Sequence, residues 1–121
     1  MIRIFLSRLL ACALVLAAAG AAHADGMAIF IKNGHSRAIA IELHGSGGKA
    51  WPGDDQVYMI EKKMQKSIPI ECEPAEKICY GAWLMGDDRT HWGVGPDNTM
   101  SCTDCCTTCV AKSTFQISLQ P

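Results

Sequence analysis

The sequence predicts a small antiparallel β-sandwich of six or seven short strands, stapled by disulfides. Three observations predict it. After residue 25, apolar and polar residues alternate with a period of two through most of the chain, the pattern of a sheet with one buried face. Clusters of Gly, Pro, Asp and Asn interrupt that pattern at short intervals, as turns do. Six cysteines fall in the same region, four of them in the run Cys102-Thr-Asp-Cys105-Cys106-Thr-Thr-Cys109.

The first 24 residues are of a different kind. Arg3 and Arg8 precede an apolar run, Leu9 to Ala19, and Ala22-His23-Ala24 offers the small residues of a signal-peptidase site. The apolar run is about half the ~20 residues needed to span a bilayer, so the segment reads as a cleaved signal peptide, cut between Ala24 and Asp25. Its arginines are not adjacent, which fits a Sec-type leader and not a twin-arginine one. A Sec client crosses the membrane unfolded, which argues against a cofactor assembled in the cytosol. Residues 25–121 then form a single domain of 97 residues, with nine basic and twelve acidic side chains, a net charge of −3 and six cysteines. The weak negative charge argues against nucleic acid or an anionic membrane surface as partner. No stable membrane insertion is expected after the leader is removed. The expected location is periplasmic or secreted, where thiols become disulfides.

Each strand has its own signature. Met27–Lys32 reads as the first strand and Arg37–His44 as the second. In the latter, Ile39, Ile41 and Leu43 alternate with Ala40, Glu42 and His44. The turn Asn33-Gly34-His35-Ser36 between them predicts a hairpin. Gly45-Ser46-Gly47-Gly48 is a flexible loop, Trp51-Pro52-Gly53-Asp54-Asp55 a tight turn, and Val57–Ile60 a short strand. Lys66–Cys72 carries Pro69, which marks an edge strand or a bulge. Lys77–Gly86 is apolar on both faces, as a central strand would be. Thr90–Gly95 follows the turn Gly86-Asp87-Asp88, and Thr114–Leu119 closes the domain with Phe115, Ile117 and Leu119 inward.

The cysteines admit several chemistries. A helix over 102–109, started by Ser101 and Asp104, would place four thiols on one face and offer ligands to Zn or Cu. A short Cys-rich helix or loop holding disulfides is the expectation, because one helix face cannot easily surround an ion tetrahedrally. Cys105 and Cys106 are adjacent, so they point to different partners. Of the fifteen pairings open to six cysteines, one links Cys72 and Cys79 to two members of the cluster and closes the other two within it. Another joins Cys72 to Cys79 across their turn, which leaves the two sulfurs diagonal. A redox-active dithiol would need a depressed pKa, and Asp104 works against that.

Other groups are weaker. His91 with Asp87 and Asp88 offers an imidazole and two carboxylates, but a solvated turn explains them. Trp51, Trp83 and Trp92, with Tyr58 and Tyr80, can supply an aromatic ligand platform, with Trp51, Trp92 and His91 its candidate residues. His44-Gly45-Ser46-Gly47-Gly48 does not match a nucleophile elbow. Trp92-Gly93-Val94-Gly95 lacks the third glycine of a nucleotide fingerprint, and its glycines read as bulge or close-packing positions. Lys62-Lys63-Met64-Gln65-Lys66 reads as a solvated turn.

The segments Ile78-Cys-Tyr-Gly-Ala-Trp83, Trp92-Gly-Val-Gly95 and Cys102-x-x-Cys-Cys-x-x-Cys109 together resemble small exported, uncharacterised proteins of Gram-negative bacteria. The likeness covers nearly all of residues 25–121 and carries over no catalytic or binding residue. A fainter likeness runs to thaumatin-like β-sandwiches, through Phe30-Ile-x-Asn33, Ser36-x-x-Ile39 and Gly81-Ala-Trp83. The thaumatin disulfide pattern is absent, so this likeness implies a sandwich and nothing more. The functional expectation is an exported, disulfide-stabilised binding or accessory module without a cofactor, whose partner is a protein or a small molecule. The alternative is a periplasmic Zn or Cu protein using Cys102, Cys105, Cys106 and Cys109, and a small secreted enzyme comes third.

Overall fold

The computed structural model describes residues 25–121. The signal-peptide reading falls on residues outside them. The chain forms nine strands: β1 (Asp25–Asn33), β2 (Ile39–Gly45), β3 (Ala50–Trp51), β4 (Tyr58–Ile60), β5 (Gln65–Cys72), β6 (Lys77–Leu84), β7 (Asp87–Gly93), β8 (Cys106–Thr108) and β9 (Thr114–Leu119). They build two sheets. The first runs β5-β1-β9; the second runs β3-β2-β6-β7, with β4 also pairing β2 and β8 also pairing β6. The disulfide-stapled sandwich predicted from the sequence is what the chain adopts, with nine strands in place of six or seven; β3 and β8 are too short to show an alternating pattern.

The core fills the space between the sheets. Ile29, Ile31, Ile68, Ile70 and Ile117 from the first sheet meet Ile39, Ile41, Leu43, Ile78 and Leu84 from the second, all nearly or fully buried. Each comes from an alternating strand, so the period of two puts them all on one face. The central position predicted for the doubly apolar strand holds: β6 lies between β2 on one side and β7 and β8 on the other. The edge reading of Pro69 holds as well. Pro69 lies opposite Ala28 in the β1–β5 ladder, and the Ala28 N–H donates to Ser113 O at 3.0 Å, away from β5. A residue without an N–H therefore leaves the ladder intact there.

Two expectations are corrected. β1 and β2 do not form a hairpin; they lie in different sheets. Asn33, at the end of β1, is buried, and its side-chain amide donates to Arg37 O, Ile60 O and Glu61 O at 2.8, 3.0 and 3.1 Å. Those bonds turn the chain across the sandwich instead of back along the same sheet. β9 also runs parallel to β1, with Ala28 opposite Thr114 and Asn33 opposite Leu119, so the first and last strands are neighbours.

Candidate binding site

The six cysteines are joined as Cys72–Cys109, Cys79–Cys106 and Cys102–Cys105. This is the pairing in which Cys72 and Cys79 reach the cluster and the other two close within it. The helical form of 102–109 does not occur: residues 101–105 are loop and bend, and Cys106–Thr108 is β8. The four cluster sulfurs therefore do not share one face. Among the described residues, no three His, Cys, Asp or Glu side chains are grouped so as to hold a metal ion. Cys72 and Cys109 belong to the main core, while Cys79 and Cys106 face each other across the β6–β8 ladder.

The bridges hold a loop, 94–105, whose two ends meet at one residue. Its first amide, Val94 N–H, donates to Tyr80 O at 2.9 Å, and Tyr80 N–H donates to its last carbonyl, Cys105 O, at 2.9 Å. Met100 N–H closes the neck onto Val94 O at 2.9 Å. A loop of this length with adjoining ends is an Ω-loop, a form often used for recognition. Local sequence explains its exit. Gly93 takes a φ of 64°, where other residues are strained, and a Cβ on it would strike the Tyr80 carbonyl. Gly81 explains the seat: a Cβ there would collide with the Gly95 carbonyl, so the loop lies directly on the β6 backbone.

This loop covers part of the outer face of the second sheet. The remainder presents the solvated alternation of β2. Glu42 Oε1 and His44 Nε2 lie 3.0 Å apart, with side chains 12% and 19% exposed. The Asp97 N–H donates to the same Glu42 oxygen at 2.8 Å and ties the loop to the pair. Two shallow hollows adjoin His44. One, of about 240 Å³, is lined by Glu42, Trp51, Asp54, Asp55, Gln56 and Asp97 among others. A smaller one, of about 130 Å³, is lined by Ser46, Lys77, Cys79 and Asn98 among others. The arrangement can hold a cationic or hydroxyl-rich group through carboxylates and imidazole.

The sequence candidates are distributed around this face without converging. Trp51 and Trp92 sit at opposite margins of the second sheet, both turned toward the core. Each donates its indole N–H to a backbone carbonyl of the first sheet's margin: Trp51 to Glu71 O at 3.1 Å, and Trp92 to Gln120 O at 3.2 Å. They staple the two sheets together. His91 is exposed, lies opposite Trp83 in the β6–β7 ladder, and its Nδ1 is 3.2 Å from Arg89 O. Asp87 pairs with Arg89 at 3.3 Å, so the structure does not bring His91 together with Asp87 and Asp88 as one group. Ser46 Oγ accepts a hydrogen bond from Lys77 N–H, as a loop residue does.

Sequence reasoning missed the Glu42–His44 pair. Their alternation in β2 was visible, and so was their shared face, but the contribution of Asp97, fifty-five positions away, left no local signal. Burial pushes the Tyr80 hydroxyl and the Tyr58 hydroxyl above the ordinary tyrosine range. Comparison with protein-family models, with curated proteins and with solved structures finds no match.

Proposed function

We propose that this chain is an exported binding or accessory module that meets its partner with the outer face of the second sheet. The partner is a protein or a small molecule. The observation that supports this most directly is the Ω-loop at 94–105. It is closed at its neck, bridged internally and seated on Gly81, so little ordering entropy remains to be lost when a partner docks. The hollows beside it are open and shallow, a shape suited to one feature of a larger partner. The leader at residues 1–24 and the three bridges support passage through the Sec route into the periplasm or medium.

Two measurements test the reading. A photo-crosslinking residue placed at Asn98 is expected to give one defined adduct in the exporting cell, while the same probe at Gln116, on the other sheet, gives none. Equal labelling at both positions sinks the binding face. Mass spectrometry of the purified protein is expected to find a chain starting at Asp25, lighter by six hydrogens than the reduced form and without free thiols. Several free thiols with stoichiometric zinc or copper would transfer the function to the metal.

A further inference from the structure

The net charge of −3 conceals a separation of charge along the molecule. One end of the sandwich comprises the end of β1, the start of β2, the β4–β5 turn and the β6–β7 turn. It carries Lys32, Arg37, Lys62, Lys63, Lys66 and Arg89 against Glu61, Asp87 and Asp88, a net +3; the rest of residues 25–121 carries three basic and nine acidic side chains, a net −6.

The same end holds three exposed methionines, Met59, Met64 and Met85, at 44%, 58% and 39% exposure. Basic and apolar groups interleave there. The Lys66 ammonium donates to Met59 O at 3.3 Å, and the Arg37 guanidinium donates to Met85 O at 3.0 Å. The Lys63 ammonium donates to Gly34 O, and its N–H donates to His35 O at 3.1 Å, which joins the 34–37 loop to the β4–β5 turn. Two adjoining hollows run through the patch. One, of about 320 Å³, lies among Met59, Met64 and Lys66, and the other, of about 250 Å³, among Lys32, Lys63 and Met64.

We infer that this end docks onto the surface of an anionic phospholipid bilayer. Charge complementarity selects the sign of the surface. The methionines select a surface with an apolar layer beneath its charges, because a solely acidic polymer gains nothing from flexible thioether side chains. Cations flanking exposed apolar side chains form an interfacial anchor: the cations meet the headgroup phosphates while the apolar groups enter the headgroup–acyl boundary. The opposite end, where Glu71, Glu73 and Glu76 cluster at the end of β5 and in the β5–β6 turn, is repelled by the same surface. The protein therefore stands on its basic end with the 94–105 loop held away from the bilayer. This docking uses a surface separate from the binding face proposed above, and either can fail alone.

The purified exported protein, mixed with vesicles of phosphatidylglycerol and phosphatidylcholine, tests this by co-sedimentation. Binding is expected at low salt, at least about tenfold weaker to phosphatidylcholine alone, and lost at high salt. The double variant K62E/K63E is expected to weaken binding by more than about tenfold, at roughly fivefold or more per reversed charge. The double variant M59S/M64S is expected to weaken it several-fold. All four positions are exposed, but Lys63 also holds the 34–37 loop. K62E alone is therefore the control: it should melt like the parent protein and still weaken binding about fivefold, and unchanged binding by K62E overturns the proposal. Equal sedimentation with both vesicle types, none with either, or full binding by K62E/K63E overturns the proposal. Binding to soluble polyglutamate as strong as to the vesicles overturns it in favour of an acidic polymer. Sedimentation without vesicles overturns it in favour of head-to-tail association between copies.

Discussion

At the scale of single residues, Asn33 does more for this fold than any large apolar side chain of similar size could. It is the one buried polar residue outside the cysteines among those described. Its amide serves three carbonyls while its Oδ1 accepts the His35 N–H at 2.8 Å. Asn33→Ala is expected to cost about 2–4 kcal/mol, because it leaves the partners desolvated and unpaired. Asn33→Asp should cost at least as much, since it turns an acceptor toward three carbonyls. Urea denaturation with an unchanged slope would measure both, and a loss below about 0.5 kcal/mol for the alanine variant would show that water replaces the amide. The sequence displays Asn33 only as the first residue of a Gly-containing turn. That pattern matches a hairpin, and nothing local marks a side chain whose partners are 27 and 28 positions away. The glycines of Trp92-Gly93-Val94-Gly95 were more legible: close packing was expected of them, and the Gly95 carbonyl lies against Gly81.

At the scale of elements, the bridges rank themselves by the chain they enclose. Their sequence separations are 37, 27 and 3. Loop-closure entropy then assigns about 4, about 3.5 and about 2 kcal/mol to Cys72–Cys109, Cys79–Cys106 and Cys102–Cys105. Replacing each pair by serines should reproduce that order in denaturant midpoints, with the 102/105 variant losing least overall while exposing the amides of 94–105 to hydrogen exchange. A 102/105 variant as unstable as the 72/109 variant would show that the loop is part of the main cooperative unit. Strand positions were legible because alternation depends on neighbours two residues apart. Which sheet a strand joins was not, because β1 and β2 present the same apolar period toward one core from opposite sides. The cluster spacing fits a helix face and misled for a related reason. Cys106 and Cys109, bound to Cys79 in β6 and Cys72 in β5, fix the backbone of 101–109 more firmly than local helical preference does.

At the scale of the whole molecule, two tyrosines lean on the core from its rim. Their hydroxyls are raised by burial above the ordinary value of 10.0. A group that holds its proton more tightly when folded supports the fold fully below the unfolded pKa, and that support is lost as pH climbs through the folded value. Stability should therefore be insensitive to tyrosine ionisation below about pH 10 and fall above it. The phenolate absorbance of native protein should rise at higher pH than in denaturant, and coincident curves would contradict the burial of both rings. The overall architecture was readable from composition, turns and alternation; the parallel pairing of β1 with β9 was not, since it joins the two ends of the domain. That closure and the bridges have a joint consequence for biogenesis. The three links are concentric, each lying inside the next. Of the six bridged cysteines, Cys72 and Cys79 are made first, and each is the wrong mate for the other. An oxidase working in order of emergence would seal an eight-residue ring between them, so a thiol-exchange catalyst that reopens that ring after the last strand arrives is expected to raise the yield of the native pairing.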